Sequence, residues 1–339
     1  MILSVDFGHN SIKASSDQTK ELIFPKIIAN EVKNIELPDF AEVNPLEMIR
    51  VEYDNEEYML GDLAREQSDI AHSSSHEDDL LTSETKICVL TAIALLVDNT
   101  NDVQLATNIP VSQYDYKAKD FKEFLGQDEV YTIKVYDHNK RRYKTKRFQL
   151  TDIIVKPQGF YSLMDYLLDN NGEIKLDRKD EASKLNMVID IGYFSTDIYI
   201  VNRLKEKKFP PTTTIAGMSK VYNRIGKKLK LDHGIIKKDF ELTPFIENKS
   251  IKGIGITNLI EREYERLFDI IYSDIQNNIP FFSDIDNILL VGGGAKPMQK
   301  FFNNIGINII TIDKPQFSNA LGGLKYGKRQ FKEISSQRD

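Results

Sequence analysis

The chain has 339 residues and a single cysteine, Cys88, which excludes an internal disulfide and suits a reducing cytoplasm. Long apolar runs are also missing. The longest, Ile87–Val97, is too short to cross a bilayer, and Met1 leads straight into a strand carrying Asp6 with no secretory leader. A cytoplasmic protein with no membrane association is therefore expected. Positive charge is not in excess: 45 Lys and Arg against 51 Asp and Glu give a net charge of -6, which argues against a general nucleic-acid surface. No G-x-x-x-x-G-K-[ST] loop occurs, and no repeat of short period is evident.

What is present describes a soluble globular protein with material for two cores, since 41% of residues are hydrophobic and 28% charged. The organising stretch is Met187–Ile200, MVIDIGYFSTDIYI. β-Branched and aromatic residues flank Asp190, Gly192, Ser195, Thr196 and Asp197, predicting a hairpin with a polar tip where a glycine lets an anion approach the main chain. Ile2–Lys13, ILSVDFGHNSIK, repeats the device with Asp6 and Gly8. Two such tips suit a polyphosphate, with Asp6 and Asp190 as carboxylates for a hydrated magnesium ion. Alone, each Asp-x-Gly is more often just a turn. A third element supports the phosphate reading. Asn287–Pro297, NILLVGGGAKP, is a buried strand entering three glycines before a helix over Pro297–Ile305, without the spacing of a dinucleotide fingerprint.

Asp6-x-Gly8 with Lys13, Asp190-x-Gly192 with Ser195, Thr196 and Asp197, and Gly292-Gly293-Gly294-Ala295 resemble, in order and spacing, the phosphate hairpins and adenosine loop of the actin and heat-shock-chaperone ATPase superfamily. Tyr58–Ala64 (YMLGDLA) and Val103–Tyr114 (VQLATNIPVSQY) are similar to the ParM-type bacterial actin-like proteins that segregate plasmids. The resemblance implies an α/β, actin-like (ribonuclease H-like) two-domain ATPase fold with a nucleotide cleft between the domains and two smaller outer lobes. Its domains would be 1–157 plus 320–339, with an outer lobe near 24–80, and 158–319, with an outer lobe near 218–280. It also implies ATP or GTP with magnesium. Phosphate or nucleotide contacts fall to Gly8, His9, Asn10, Ser11, Lys13, Gly192, Tyr193, Ser195, Thr196, Gly217, Gly292, Gly293, Gly294 and Ala295. Asp6 and Asp190 hold the metal through water, Asp190 also ranking as catalytic. The implied partners are further copies of the chain in a filament and a ParR-like DNA-binding adaptor.

Ile153–Leu163, IIVKPQGFYSL, sets Gln158 at a strand-to-helix joint, where the resemblance implies a residue that orients the attacking water. Asn319-Ala320-x-Gly322-Gly323, opening a helix, resembles the second domain crossing, and two crossings make a hinge. The pattern departs from most relatives at Tyr193 and Phe194, where small residues are usual; these rings must point away from the phosphates or narrow the site. Which hydroxyl meets phosphate, Ser195 or Thr196, stays open. Gly217 is either a backbone donor or a glycine that its turn needs.

Elsewhere the chain reads more plainly. A hairpin over Met48–Leu60 turns at Asp54-Asn55. A core helix follows Ser83 as N-cap and carries Cys88 in its interior. Helices are expected over Tyr116–Leu125 and Asn258–Ile275, the latter with Asn258 and Glu261 at capping positions, and a strand over Gly306–Asp313. Lys140, Arg141, Arg142, Lys144, Lys146 and Arg147 form a solvated strand face or a subunit or adaptor contact. His72 and His76 sit in a serine-rich stretch that reads as a loop rather than a metal site. Rival readings are a small-molecule kinase of the same fold, a filament with phage or chromosomal cargo, and a chaperone ATPase, the last disfavoured because Asp339 falls about where the ATPase core should stop.

Overall fold

The computed structural model describes residues 1–30, 44–68, 72–73, 80–98, 101–206, 212–214 and 216–338. They form two compact units, Met1–Leu176 with Asn319–Asp339, and Asp177–Ser318.

The first unit is built on a sheet of strands β1 (Ile2–Phe7), β2 (Ser11–Ser16), β3 (Glu21–Pro25), β4 (Ile27–Ala29), β5 (Ile49–Tyr53), β6 (Glu56–Leu60), β7 (His72–Ser73), β8 (Asn101–Ile109), β9 (Val130–Asp137) and β10 (Arg142–Pro157). Their order is β3-β2-β1-β8-β10-β9-β5-β6-β4-β7. At its centre β1, β8 and β10 run parallel, so their carboxyl ends lie side by side. In open α/β sheets that edge is where ligands collect. Helices α1 (Asp62–Gln67), α2 (Ser83–Leu96), α3 (Val111–Leu125) and α4 (Phe160–Leu167) accompany the sheet. Helix α2 is apolar all round, and Ile87, Cys88, Leu90 and Ile93 are buried in the core with Val5, Leu105 and Ile153 of the strands.

Several boundaries differ from the sequence reading. Thr82, not Ser83, caps α2: its backbone is extended, and its hydroxyl accepts the Thr85 N–H at 3.2 Å. Helix α3 starts at Val111 rather than Tyr116, because Pro110 at the N-cap needs no N–H, and it ends at the left-handed Gly126. The β5–β6 turn is as expected, with φ of 54° and 64° at Asp54 and Asn55. In the basic β9–β10 ribbon, Lys144 pairs with Asp137 at 2.7 Å and Lys146 donates to the carbonyls of Val97 and Asp98. His76 lies outside the described residues.

The second unit contains α5 (Lys179–Ala182), β11 (Leu185–Ile191), β12 (Thr196–Asn202), β13 (Lys205–Glu206), β14 (Thr212–Thr214), α6 (Met218–His233), α7 (Thr243–Glu247), β15 (Ser250–Ile251), β16 (Ile254–Gly255), α8 (Thr257–Asn278), β17 (Asn287–Val291), α9 (Ala295–Phe302) and β18 (Asn308–Thr311). Its sheet runs β13-β12-β11-β17-β18, with β14 on β12, and β11, β17 and β18 are parallel. The α8 stripe of Ile260, Tyr264, Leu267, Ile271 and Ile275 is buried as its spacing predicts. Its capping is not: Ile256 is the N-cap without a side-chain bond, and Asn258 and Glu261 fall inside the helix. Helix α9 begins two residues early, at Ala295, because Pro297 is tolerated in a first turn, and β18 is confined to Asn308–Thr311.

The last helix, α10 (Ser318–Arg338), packs in the first unit. A Cβ on Gly322 would overlap the Tyr161 carbonyl of α4, and one on Gly323 would overlap the Ser4 hydroxyl of β1, so these glycines permit the close approach. Asn319 fastens the start of α10 to α4, its Oδ1 accepting the Gly159 N–H at 3.2 Å and the Ser162 hydroxyl at 2.9 Å. Among the described residues no helix is long and apolar enough to cross a membrane.

Candidate functional site

In the first unit β1 and β2 pair with Asp6 opposite Lys13 and Phe7 opposite Ile12, leaving Gly8, His9 and Asn10 as the turn and Ser11 as the first residue of β2. Asp6 is only 3% exposed, and a carboxylate so buried requires partners. Lys13 Nζ lies 2.9 Å from its Oδ2, and Asn108 Nδ2 donates to its Oδ1 at 2.8 Å. A Cβ on Gly8 would stand 2.9 Å from the Ser11 carbonyl and 3.3 Å from Lys13 Nζ, so the glycine keeps room for that ammonium. Gln158 follows the end of β10. Its N–H donates to Ile109 O at 2.8 Å, while its buried side-chain amide reaches Phe7 O only at 3.5 Å, too long for a strong bond.

Two basic groups at this turn bind their protons less tightly than usual. Burial, reinforced by Lys26, pushes the His9 imidazole down to about 4 against the opposing pull of Asp6, so His9 is neutral at pH 7 and has a single N–H to offer. Burial likewise pushes Lys26 down to about 8. Its N–H donates to Asn10 O at 2.9 Å, and its ammonium stands 3.9 Å over the Phe7 ring.

The second unit repeats the hairpin in register. Asp190 faces Asp197 and Ile191 faces Thr196, with Gly192, Tyr193, Phe194 and Ser195 as the turn. Both turns thus read Asp-x-Gly-x-x-Ser, and Asp197 occupies the place that Lys13 holds in the first. The two hydroxyls have different fates. Thr196 donates to Ala216 O at 2.7 Å and is fully buried, which commits its proton to the fold; Ser195 belongs to the turn itself. The Tyr193 ring is drawn to Tyr222 of α6, 5.8 Å between centroids, and its hydroxyl donates to Asp239 Oδ2 at 2.5 Å. Backbone carbonyls of Gly192 and Tyr193 accept the N–H groups of Met218 and Ser219 at 3.1 and 2.7 Å, satisfying the first turn of α6. Gly217 fits beneath them because a Cβ there would lie 2.5 Å from Tyr193 O.

Parallel pairing of β11 with β17 sets Asp190 level with Val291 and carries the glycine loop to the hairpin. Gly292 has φ of 83°, and a Cβ on it would strike the Asp190 carboxylate. Its N–H donates to Pro315 O at 2.9 Å, and that of Gly294 to Ile191 O at 3.0 Å. Gly294 also packs against the Ile191 side chain, whereas Gly293 has open space where a Cβ would go. Ala295 is buried at the first position of α9.

Each unit therefore gathers its sequence-predicted residues at the carboxyl ends of parallel strands, with one Asp-led turn apiece. The donor chemistry fits a hydrated magnesium ion, which takes few carboxylates and keeps its waters, and Lys13 fits a phosphate anion. The sequence reading missed Asn108. As the penultimate residue of a strand before Pro110 it looks like part of a turn, and only the adjacency of β8 to β1 gives it meaning.

A comparison with curated proteins finds no match. Residues 4–160 match the family described as the actin like proteins N terminal domain, and residues 188–304 match that of the archaeal actin homologue MreB-like, C-terminal. Among solved structures, an archaeal actin homologue in complex with ADP is 18% identical with a TM-score of 0.78, covering 97% of this chain and 99% of that one. A 15-stranded ParM filament from Clostridium botulinum is 23% identical with a TM-score of 0.75 and the same coverage. The non-polymerisable quadruple mutant of pCBH ParM, again with that coverage, is 22% identical with a TM-score of 0.74. With one actin-like family matched over residues 4–160, another over 188–304, and an actin-like fold over nearly its whole length, the chain belongs to the actin-like proteins, sharing the fold of their ParM-type members.

Proposed function

We propose that the protein is a cytoplasmic, nucleotide-dependent filament former that binds and hydrolyses ATP, or GTP, with magnesium and partitions plasmid DNA through a ParR-like DNA-bound adaptor. The observation that carries the nucleotide reading is the repeated Asp-x-Gly-x-x-Ser turn, set at the same register at a parallel-strand end in each unit. The solved ParM filament of the same fold supports the filament, and the plasmid role rests on the resemblance of Tyr58–Ala64 and Val103–Tyr114 to ParM-type proteins.

In this reading Lys13 leaves its pairing with Asp6 to counter phosphate charge, the Ser11 and Ser195 hydroxyls donate to phosphate oxygens, and Gly293 gives the nucleoside access to the backbone. Asp6 and Asp190 are the carboxylates that would hold a magnesium ion through its waters, and the ion would supply positive charge to the phosphates. Gln158 orients the attacking water; hydrolysis needs that water in line rather than a strong base. Light scattering and pelleting with magnesium and ATP, GTP or no nucleotide test the reading. Polymer that appears only with a nucleoside triphosphate supports it, whereas a protein that binds nucleotide yet stays monomeric at tens of micromolar contradicts it.

A further inference from the structure

Asn108 is fully buried at the end of β8, beside the Asp6 turn, and no role in the nucleotide reading above requires it. The backbone register between β1 and β8 runs only as far as Val5 opposite Thr107, and the Asn108 side chain takes over from there. Its Oδ1 accepts the Phe7 N–H at 3.2 Å and its Nδ2 donates to Asp6 Oδ1 at 2.8 Å. These two bonds fix the amide in one orientation, since a flipped amide would set oxygen against carboxylate and NH2 against N–H. Thr107, one residue earlier, donates its hydroxyl to Val5 O at 2.8 Å, so the strand end is clamped from both sides.

We infer that Asn108 is a positioning residue: it holds Asp6 Oδ1 so that Oδ2, the oxygen facing Lys13, is the one offered to a magnesium-bound water when Lys13 turns to phosphate. This rests on the nucleotide reading. Without Asn108, Oδ1 loses its neutral donor, and the carboxylate is free to turn both oxygens on Lys13, the cation that the phosphate needs. The effect falls on metal-dependent binding rather than on nucleotide contacts as such.

The test compares wild type, N108A and N108L for binding of a fluorescent ADP analogue, with saturating magnesium and with excess chelator, and follows thermal unfolding without nucleotide. N108L fills about the same volume while removing the donor, so it decides the matter should the cavity in N108A prevent folding. We expect the tightening conferred by magnesium to fall about tenfold in both variants, the loss of one charge-assisted bond, with affinity in chelator within about twofold of wild type. A magnesium effect at or above the wild-type level in N108L overturns the inference, as does an equal loss with and without the metal, which marks a purely structural role. Wild type that fails to bind the analogue at all contradicts the nucleotide reading itself and is told apart by that control.

Discussion

The two hydroxyls at the second turn show how a single residue's role is decided by where its proton goes. Thr196 spends its proton on Ala216 O, a residue twenty positions on, whereas Ser195 sits in the turn. Ser195→Ala should therefore weaken nucleotide binding about tenfold at unchanged stability, the value of one charge-assisted bond. Thr196→Val should instead lower stability by about 1–3 kcal/mol by orphaning a buried carbonyl. Nucleotide titration and urea unfolding of both variants separate the two effects. Lys26 makes a second case. Between pH 8 and 10.5 the unfolded chain holds a proton that the folded chain has given up, so stability should climb with pH through that window. Lys26→Met should flatten the climb and raise stability at pH 7 by about 3 kcal/mol, as read by denaturant midpoints. His9 acts at the other end: the unfolded chain takes up a proton between pH 6.5 and about 4 that the buried imidazole refuses, so stability falls as the pH drops through that range.

At the level of elements, the three glycines after β17 are not equivalent. Gly292 is held at positive φ against the Asp190 carboxylate and Gly294 against Ile191, while Gly293 is open. Gly292→Ala should destabilise the fold by more than about 2 kcal/mol through strain and overlap. Gly293→Ala should leave thermal stability near wild type and weaken nucleotide binding; a Gly293→Ala protein with unchanged affinity would remove the backbone-access role. The turns and this loop were legible in the sequence because their signals are local: an aspartate and a glycine between β-branched runs, or glycines between strand and helix. What depended on other strands was not. Asn108 matters only because β8 lies beside β1, and Tyr193 is turned aside by Asp239 and Tyr222, which its own neighbours do not announce. Helix starts were misplaced where no side chain caps the first turn, at Ile256 for α8, or where the cap is the residue before the expected one, at Thr82 for α2.

Over the whole molecule, the sequence reading identified the actin-like class from scattered motifs, and the family matches and fold agree with it. Filament surfaces carry no comparable signature: in the basic β9–β10 ribbon, Lys144 and Lys146 are engaged within the chain, and their charge pattern alone names no partner. In the proposed function, hydrolysis of bound nucleotide limits the life of the polymer. Phosphate release and polymer lifetime, followed together for wild type and Gln158→Ala with magnesium and ATP or GTP, test this. Polymer of similar yield should last longer in the variant, with phosphate release slowed about a hundredfold or more, the scale of losing a water-positioning group. Equal phosphate release by the two proteins, or polymer of equal lifetime despite slowed release, would contradict it.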